Sequence, residues 1–331
     1  MALLGICLKI MIYFCCLSEG ELWLKLSSVA LSKIANTFSL YDISNSSLDI
    51  KARAFQNVYK PAVRAGMGQF FTPHEVVKLI VDVISPKQQE VIIDPFCGSG
   101  HFLSESLSHL RSQVKNCNVF NEFAYHKLHG IEKSERMVRI AMTDMRLNGD
   151  GHSNIRCTDA LLPFSSYVDI EPNSFDVVMT NPPFGSVLSS DAFNYLGEFE
   201  LNSLFKNVPL ELAGLERSIQ LLRDGGKLGI ILPESIFVNK SFYNIRKWIS
   251  QKLKVRAIVS LPIETFSPYG TSIKTSILFA KKERSDSVYD YKIFTGGIEN
   301  IGYDAAGRPL ENGEINAFTA RLQDFFRKEG W

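Results

Sequence analysis

Val91-Ile92-Ile93-Asp94-Pro95-Phe96-Cys97-Gly98-Ser99-Gly100 reads as a β-branched strand, then an acid, then a glycine turn. His101-Phe102-Leu103-Ser104-Glu105-Ser106-Leu107 follows and opens a helical pattern. Glycines at 98 and 100 let the backbone take positive φ or approach a ligand closely. No third glycine completes a dinucleotide fingerprint, so the implied ligand need not carry a pyrophosphate. An acid at the strand end suits a cationic or amino-bearing ligand. The same residues would also serve a simple tight turn.

Apolar runs of strand length recur downstream at Leu128–Glu132, Asn154–Cys157, Phe175–Thr180, Lys227–Leu232, Val255–Leu261 and Thr275–Ala280. Helical patterns separate most of them, including Ser134–Leu147, Leu210–Leu222 and Phe242–Leu253. This alternation predicts an α/β fold, a doubly wound and mostly parallel sheet. Asp224-Gly225-Gly226 reads as a helix stop before the fifth strand. Upstream, Trp23, Leu26, Ala30, Ile34 and Phe38 recur at steps of three and four and predict a short helical N-terminal region.

Ligands of open α/β sheets bind outside the carboxyl ends of the strands. The fourth strand ends there in Asn181-Pro182-Pro183-Phe184. Two consecutive prolines fix two φ angles, remove two donors and push Asn181 out of the helical region. The stiff strand end presents the Asn181 side-chain carbonyl, the Pro182 backbone carbonyl and an aromatic face toward one point. That suits a planar amino group: two acceptors for its N–H bonds and a ring to stack on. A rigid turn would ask for much the same residues.

Together the two motifs resemble the adenine-N6 type of DNA methyltransferases that use S-adenosyl-L-methionine. A third stretch, Gly68-Gln69-Phe70-Phe71-Thr72-Pro73 before the helix-like Glu75–Ile84, resembles the segment preceding the catalytic domain in modification (M) subunits of type I restriction-modification systems. The three motifs stand in the family's order, and the resemblance covers about residues 55 to 310. It implies a Rossmann-like methyltransferase domain of seven strands, the last antiparallel. It also implies a helical region over 1–66, a catalytic domain over 67–284 and an extension over 285–331.

The resemblance assigns roles. Asn181, Pro182, Pro183 and Phe184 carry catalysis. Phe71, Thr72 and Pro73 bracket the methionine end of the cofactor. Asp94, Pro95, Phe96, Gly98 and Gly100 form the strand-end turn around it. Glu132 meets ribose hydroxyls, and Asp159 with Ala160 meets the adenine. Other readings stay open: Thr72 as N-cap of the next helix with Pro73 at its first position, and the acids as loop or cap residues. The target base must leave the duplex to be reached. Phe184 and, from Thr265–Thr275, Phe266 would stack on it, with Lys274 on a phosphate; Phe266 fits a core position equally well.

The amino nitrogen of adenine is a poor nucleophile because its lone pair is delocalised into the ring. Accepting both N–H bonds favours a pyramidal nitrogen, so orientation and charge placement carry the chemistry and no dedicated base is needed. The partners implied are DNA with a flipped adenine, a separate specificity subunit and a restriction subunit. Only about fifty residues follow Ala280, too few for an independent reader of DNA sequence. Two alternatives share the same core: methylation of an RNA base or of a protein glutamine, and a cofactor-binding scaffold inactive without a partner.

Net charge is +1, so the chain as a whole is no polycation, but ten basic residues from Lys240 to Arg284 face only Glu264 and Glu283. That run suits a phosphate backbone or a solvated face. The six cysteines include no Cys-x-x-Cys pair and no metal-ligand spacing with histidine, so no metal is expected and a reduced, cytoplasmic protein is. Three of them, Cys97, Cys117 and Cys157, fall in or near strands and read as small buried apolar groups. Residues 1–17 are apolar, but no basic residues precede the run and Lys9 interrupts it. It reads as a buried or partner-facing helix, or as a start site placed too far upstream, and no membrane role is expected.

Overall fold

The computed structural model describes residues 72–331 apart from 150–153, 190–198, 204–206, 270–271, 284–290 and 312, and six positions between 27 and 36. Phe71, the apolar N-terminal run and most of the expected N-terminal helical region lie outside the described residues.

The strands are β1 (Ile92–Asp94), β2 (Leu128–Glu132), β3 (Asn154–Cys157), β4 (Phe175–Thr180), β5 (Val187–Ser189), β6 (Asn207–Pro209), β7 (Leu222–Pro233), β8 (Leu253–Ser260), β9 (Thr275–Lys282) and β10 (Phe294–Gly297). The helices are α1 (His74–Ile84), α2 (His101–Gln113), α3 (Cys117–His126), α4 (Glu135–Leu147), α5 (Leu210–Leu221), α6 (Ser235–Val238), α7 (Tyr243–Lys252) and α8 (Ile315–Glu329). Eight strands form one sheet in the order β10-β8-β9-β7-β4-β1-β2-β3, and β5 pairs antiparallel with β6 as a separate two-stranded sheet. β9 runs antiparallel to both its neighbours; every other pairing in the large sheet is parallel.

Strand periodicity explains the two layers. Ile92 of β1, with Val177 and Met179 of β4, faces one core; Ile93 and Val178 face the other. The first core is closed by α1, α2, α4 and α8, the second by α5 and α7. α1 buries Val76, Val77, Leu79, Ile80, Val81, Val83 and Ile84, somewhat more than half of its circumference, because α2 and α8 pack on it beside the sheet.

Seven strands match those expected, and an eighth, β10, extends the sheet. Phe294–Gly297 pairs in parallel with Ala257–Ser260. The chain after it returns across the sheet: Phe318, Leu322 and Phe326 of α8 enter the core, Gln323 donates to Asp82 O at 2.8 Å, and Trp331 Nε1 donates to Ile84 O. α5 stops at Leu221, before the expected Asp224-Gly225-Gly226, because Leu222 already pairs with Phe175. Gly225, at φ +78°, sits in the stretch where the register then shifts. The segment between α2 and β2 is a helix whose N-cap Asn116 accepts from Asn118 N.

Of the three described cysteines only Cys97 is buried; Cys117 and Cys157 are exposed, because one opens α3 and the other ends β3. The basic run is mostly occupied within the molecule. Lys252, Lys254 and Lys274 pair with Glu200, Glu283 and Glu234. Lys282 donates to the Ile219 and Leu222 carbonyls, and Arg256 to that of Glu329. Among the described residues no helix is long and apolar enough to cross a membrane.

Candidate active site

Strand order reverses between β1 and β4: from β1 the chain winds outward through β2 and β3, then returns to β4 on the other side. Loops diverge at such a switch point and leave a crevice at the carboxyl ends. Asp94 ends β1 and Thr180 ends β4, so the glycine turn and the Asn-Pro-Pro-Phe stretch start side by side.

A cavity lies there, walled by Thr72, Asp94, Phe96, Gly98, Met137 and Asn181 among others. Asp94 is 1% exposed. Its Oδ1 accepts from Thr180 Oγ1 at 2.6 Å and from Phe96 N at 3.1 Å. Burial pushes its carboxyl up to about 7; the Thr180 and Phe96 donors oppose that rise, and the Glu132 carboxylate adds to it. Gly98 and Gly100 stand at φ +51° and +81°, the left-handed conformation that glycine takes without strain. Gly100 is the N-cap of α2 and Cys97 N donates to Ile131 O, so the turn is stitched to β2. Pro95 is buried within the same turn.

Glu132 is half-buried and fastens two loops. Gly98 N donates to its Oε2 at 3.1 Å and Ser134 N to its Oε1 at 2.7 Å. Burial raises its carboxyl above the usual range against those backbone donors.

Asn181 Nδ2 donates to Thr72 Oγ1 at 3.0 Å. Its Oδ1 is buried and accepts from no donor among the described residues. An unpaired buried acceptor costs about 1–3 kcal/mol, so this oxygen could accept an N–H from a group entering the cavity. Thr72 therefore serves Asn181 rather than α1: the N-cap is Pro73, whose carbonyl accepts from Val76 N and Val77 N. Pro182 is buried against Phe96 and Gly214, whereas Pro183 is exposed.

Glu132 is not among the residues that wall the cavity, and neither are the remaining expected residues. Asp159 and Ala160 follow β3, two strands from β1. Asp159 Oδ1 accepts from Leu161 N at 3.0 Å and Oδ2 from Lys133 at 2.8 Å, while Ala160 is buried. Phe184 is 6% exposed and meets Phe266 edge to face, centroids 6.3 Å apart. Phe266 is fully buried, so its ring packs beneath Phe184 rather than across a slot from it. Lys274, half exposed, lies 3.1 Å from Glu234.

Three further residues support this arrangement. Met137 of α4 walls the cavity. Gly214 of α5 faces Pro182 and Phe96; an interior glycine in a helical run was the sequence signal for such a close approach. Arg217, one turn on, is fully buried and donates Nη2 to the carbonyls of Leu161 and Leu162. Its guanidinium lies over the rings of Phe164 and Phe199, at 4.2 and 4.9 Å from their centroids. No local pattern marked it.

A doubly wound sheet with an acid, a glycine turn and an unsatisfied amide acceptor at its switch point is the architecture of an α/β methyltransferase domain. The N-6 DNA Methylase family model matches residues 55–329. The chain belongs to the N-6 DNA methylase family. It is 29% identical over 320 residues to the type I restriction enzyme EcoEI methylase subunit of Escherichia coli, covering 90% of this chain and 61% of that protein. It is 27% identical over 230 residues to the EcoKI methylase subunit of Escherichia coli strain K12, covering 66% of this chain and 41% of that protein. The type I restriction-modification methyltransferase subunit of Streptococcus thermophilus shares the fold, with TM-score 0.68 and 19% identity over 90% of this chain and 62% of that one. The chain thus spans about three fifths and two fifths of the lengths of these two curated relatives.

Proposed function

We propose that this chain transfers a methyl group from S-adenosyl-L-methionine to the N6 amino group of adenine in DNA. It does so as the modification subunit of a type I restriction-modification system, beside a specificity subunit that reads the sequence and a restriction subunit that cleaves. The observation that carries this reading is the buried, unpartnered Asn181 Oδ1 at the wall of the Asp94 cavity. Residues 67–284 would be the catalytic unit, with 1–66 an N-terminal helical region and 285–331 an extension built onto the sheet.

The residues present fit the cofactor. Two glycines at positive φ keep the turn open, and two acids beside it suit a ligand bearing an ammonium, a sulfonium and ribose hydroxyls. Asp94, Phe96 and Gly98 would hold its amino-acid end with Phe71, Thr72 and Pro73. Pro95 and Gly100 shape the turn, Glu132 would take the ribose, and Asp159 and Ala160 the adenine. When bound, the cofactor supplies an electrophilic methyl on a good leaving group.

Asn181 does the rest. Its side-chain carbonyl and the Pro182 backbone carbonyl accept the two N–H bonds of the target amine, which frees the nitrogen lone pair for in-line attack. Pro182 and Pro183 keep those carbonyls from drifting. Phe184 offers a ring to the flipped base, Phe266 braces it from beneath, and Lys274 reaches toward phosphate.

The test has two stages. Calorimetric titration of S-adenosyl-L-methionine into the full chain, with Asp94→Ala as control, should show binding that the control lacks. Transfer of labelled methyl with a specificity subunit should then mark DNA as N6-methyladenine and be lost in Asn181→Ala. Label appearing instead on RNA or on a glutamine peptide would move the same core to another substrate, and absence of cofactor binding would defeat the reading.

A further inference from the structure

Thr180 is the last residue of β4 and directly precedes Asn181. Its side chain is fully buried, and its Oγ1 donates to Asp94 Oδ1 at 2.6 Å across 86 residues of chain. The parallel ladder between β1 and β4 has its last registered pair at Ile93 and Val178. The hydroxyl bond is therefore the final rung before the chains separate into two different loops. For strand propensity and packing alone, valine would serve as well as threonine at such a site. The hydroxyl is explained by the carboxylate it meets.

The consequence for Asp94 is geometric. Oδ1 takes both the Thr180 hydroxyl and the Phe96 backbone N–H, so the carboxylate cannot rotate without breaking two bonds, and Oδ2 is left for the cavity. The consequence for Asn181 is as direct. The residue bonded to Asp94 is its own chain neighbour, and on its far side Pro182 is fixed in φ. One bond thus ties the acid of the proposed cofactor site to the amide of the proposed amine site.

We propose that Thr180 is a positioning residue for methyl transfer, its hydroxyl setting the Asp94 carboxylate and the Asn181 amide at a fixed separation. This rests on the methyltransferase reading above. It also ties Thr180 to the titration of Asp94, because a donor removed from a buried carboxylate leaves the charged form less favourable. The other titratable groups around that carboxylate are Glu132 at the end of β2, the buried Cys97 thiol in the turn, and His101 at the start of α2 on the same cavity. The donors that meet the Asp94 carboxylate are the Thr180 hydroxyl and the Phe96 N–H, and of these only the hydroxyl belongs to a side chain.

The experiment compares the full chain with Thr180→Val and Thr180→Ser. Calorimetry gives the affinity for S-adenosyl-L-methionine over roughly pH 6 to 9, and labelled-methyl transfer with the specificity subunit gives kcat and KM. Thr180→Val is expected to lose about tenfold in cofactor affinity at neutral pH and to move the midpoint of its pH dependence upward by about one unit. Its kcat should fall about 10- to 100-fold with KM for DNA unchanged. Thr180→Ser, which keeps the hydroxyl, should restore all three. Thr180→Cys, of similar volume but a weak donor, takes the place of valine if that chain does not fold. Unchanged pH midpoint and kcat in the valine chain would overturn the proposal, as would a serine chain as impaired as valine. Failure of the unaltered chain to bind the cofactor would instead defeat the methyltransferase reading, and this inference with it.

Discussion

A Cβ on Gly214 of α5 would lie 2.6 Å from Pro182 Cβ and 3.1 Å from the Phe96 ring. No unbonded carbon pair tolerates the first distance, so one helix position sets how deep the Asn-Pro-Pro-Phe stretch sits. Helix propensity favours alanine over glycine by about 0.8–1.0 kcal/mol. The contact reverses that sign. Gly214→Ala should lose about 1–3 kcal/mol of stability through overpacking, and should reduce methyl transfer more than cofactor affinity. Urea unfolding and calorimetry separate the two; a more stable, fully active alanine chain would refute the close contact.

Asp94 predicts a pH dependence of stability. Its carboxyl rises from 3.8 to about 7 on folding, so the native chain holds a proton there that the unfolded chain releases. Where the native state binds more protons, stability falls as pH rises. This contribution is complete below about pH 4 and is lost as pH passes about 7. Asp94→Asn lacks it. The stability of the asparagine chain relative to the original should therefore improve between about pH 4 and 7 and level off above that, read from urea midpoints at several pH values. A difference independent of pH would rule out a raised Asp94.

Arg217 joins α5 to the loop that carries Asp159 and Ala160. Replacement by methionine fills much of the space but leaves the Leu161 and Leu162 carbonyls without their donor. We expect a loss of about 2–4 kcal/mol, with weaker cofactor binding. Arg217→Lys should recover only part of it, since an ammonium lacks the planar fork and the stacking surface between Phe164 and Phe199. Thermal midpoints of the three chains, measured with and without cofactor, check the order.

Lys274 is neutralised by Glu234 and half exposed. If it reaches phosphate in the assembled complex, Lys274→Ala should weaken DNA binding about equally on all sequences and flatten the salt dependence by about one unit of slope. Glu234→Gln should act in the opposite direction. Binding of the complex to labelled duplexes across a salt series distinguishes this from a local ion pair that never meets DNA.

Much of the fold was legible in the chain, and for a local reason. Leu128–Glu132, Asn154–Cys157 and Phe175–Thr180 are found where the apolar runs put them, because strand signals lie within a few residues. β10 carries no such signal, because Phe294-Thr295-Gly296-Gly297 is a glycine-rich, half-exposed edge whose sequence has no apolar alternation. The candidate site divides in the same way. Thr72, Asp94, Phe96, Gly98 and Asn181 sit in short motifs and meet at one cavity. Phe266 also sits in a recognisable stretch, but its enclosure under Phe184 depends on the core around it.

The order of strands and helices, the glycine turn and the proline-stiffened strand end follow from residues that are neighbours in the chain, where backbone sterics and hydrophobic period act directly. Other features depend on groups brought together over long separations. They are the Thr180–Asp94 bond, the place of Arg217 between two rings, the press of Gly214 on Pro182 and the unpaired oxygen of Asn181. Burial and hydrogen-bond satisfaction are properties of the packed whole, so only the folded sheet could decide them.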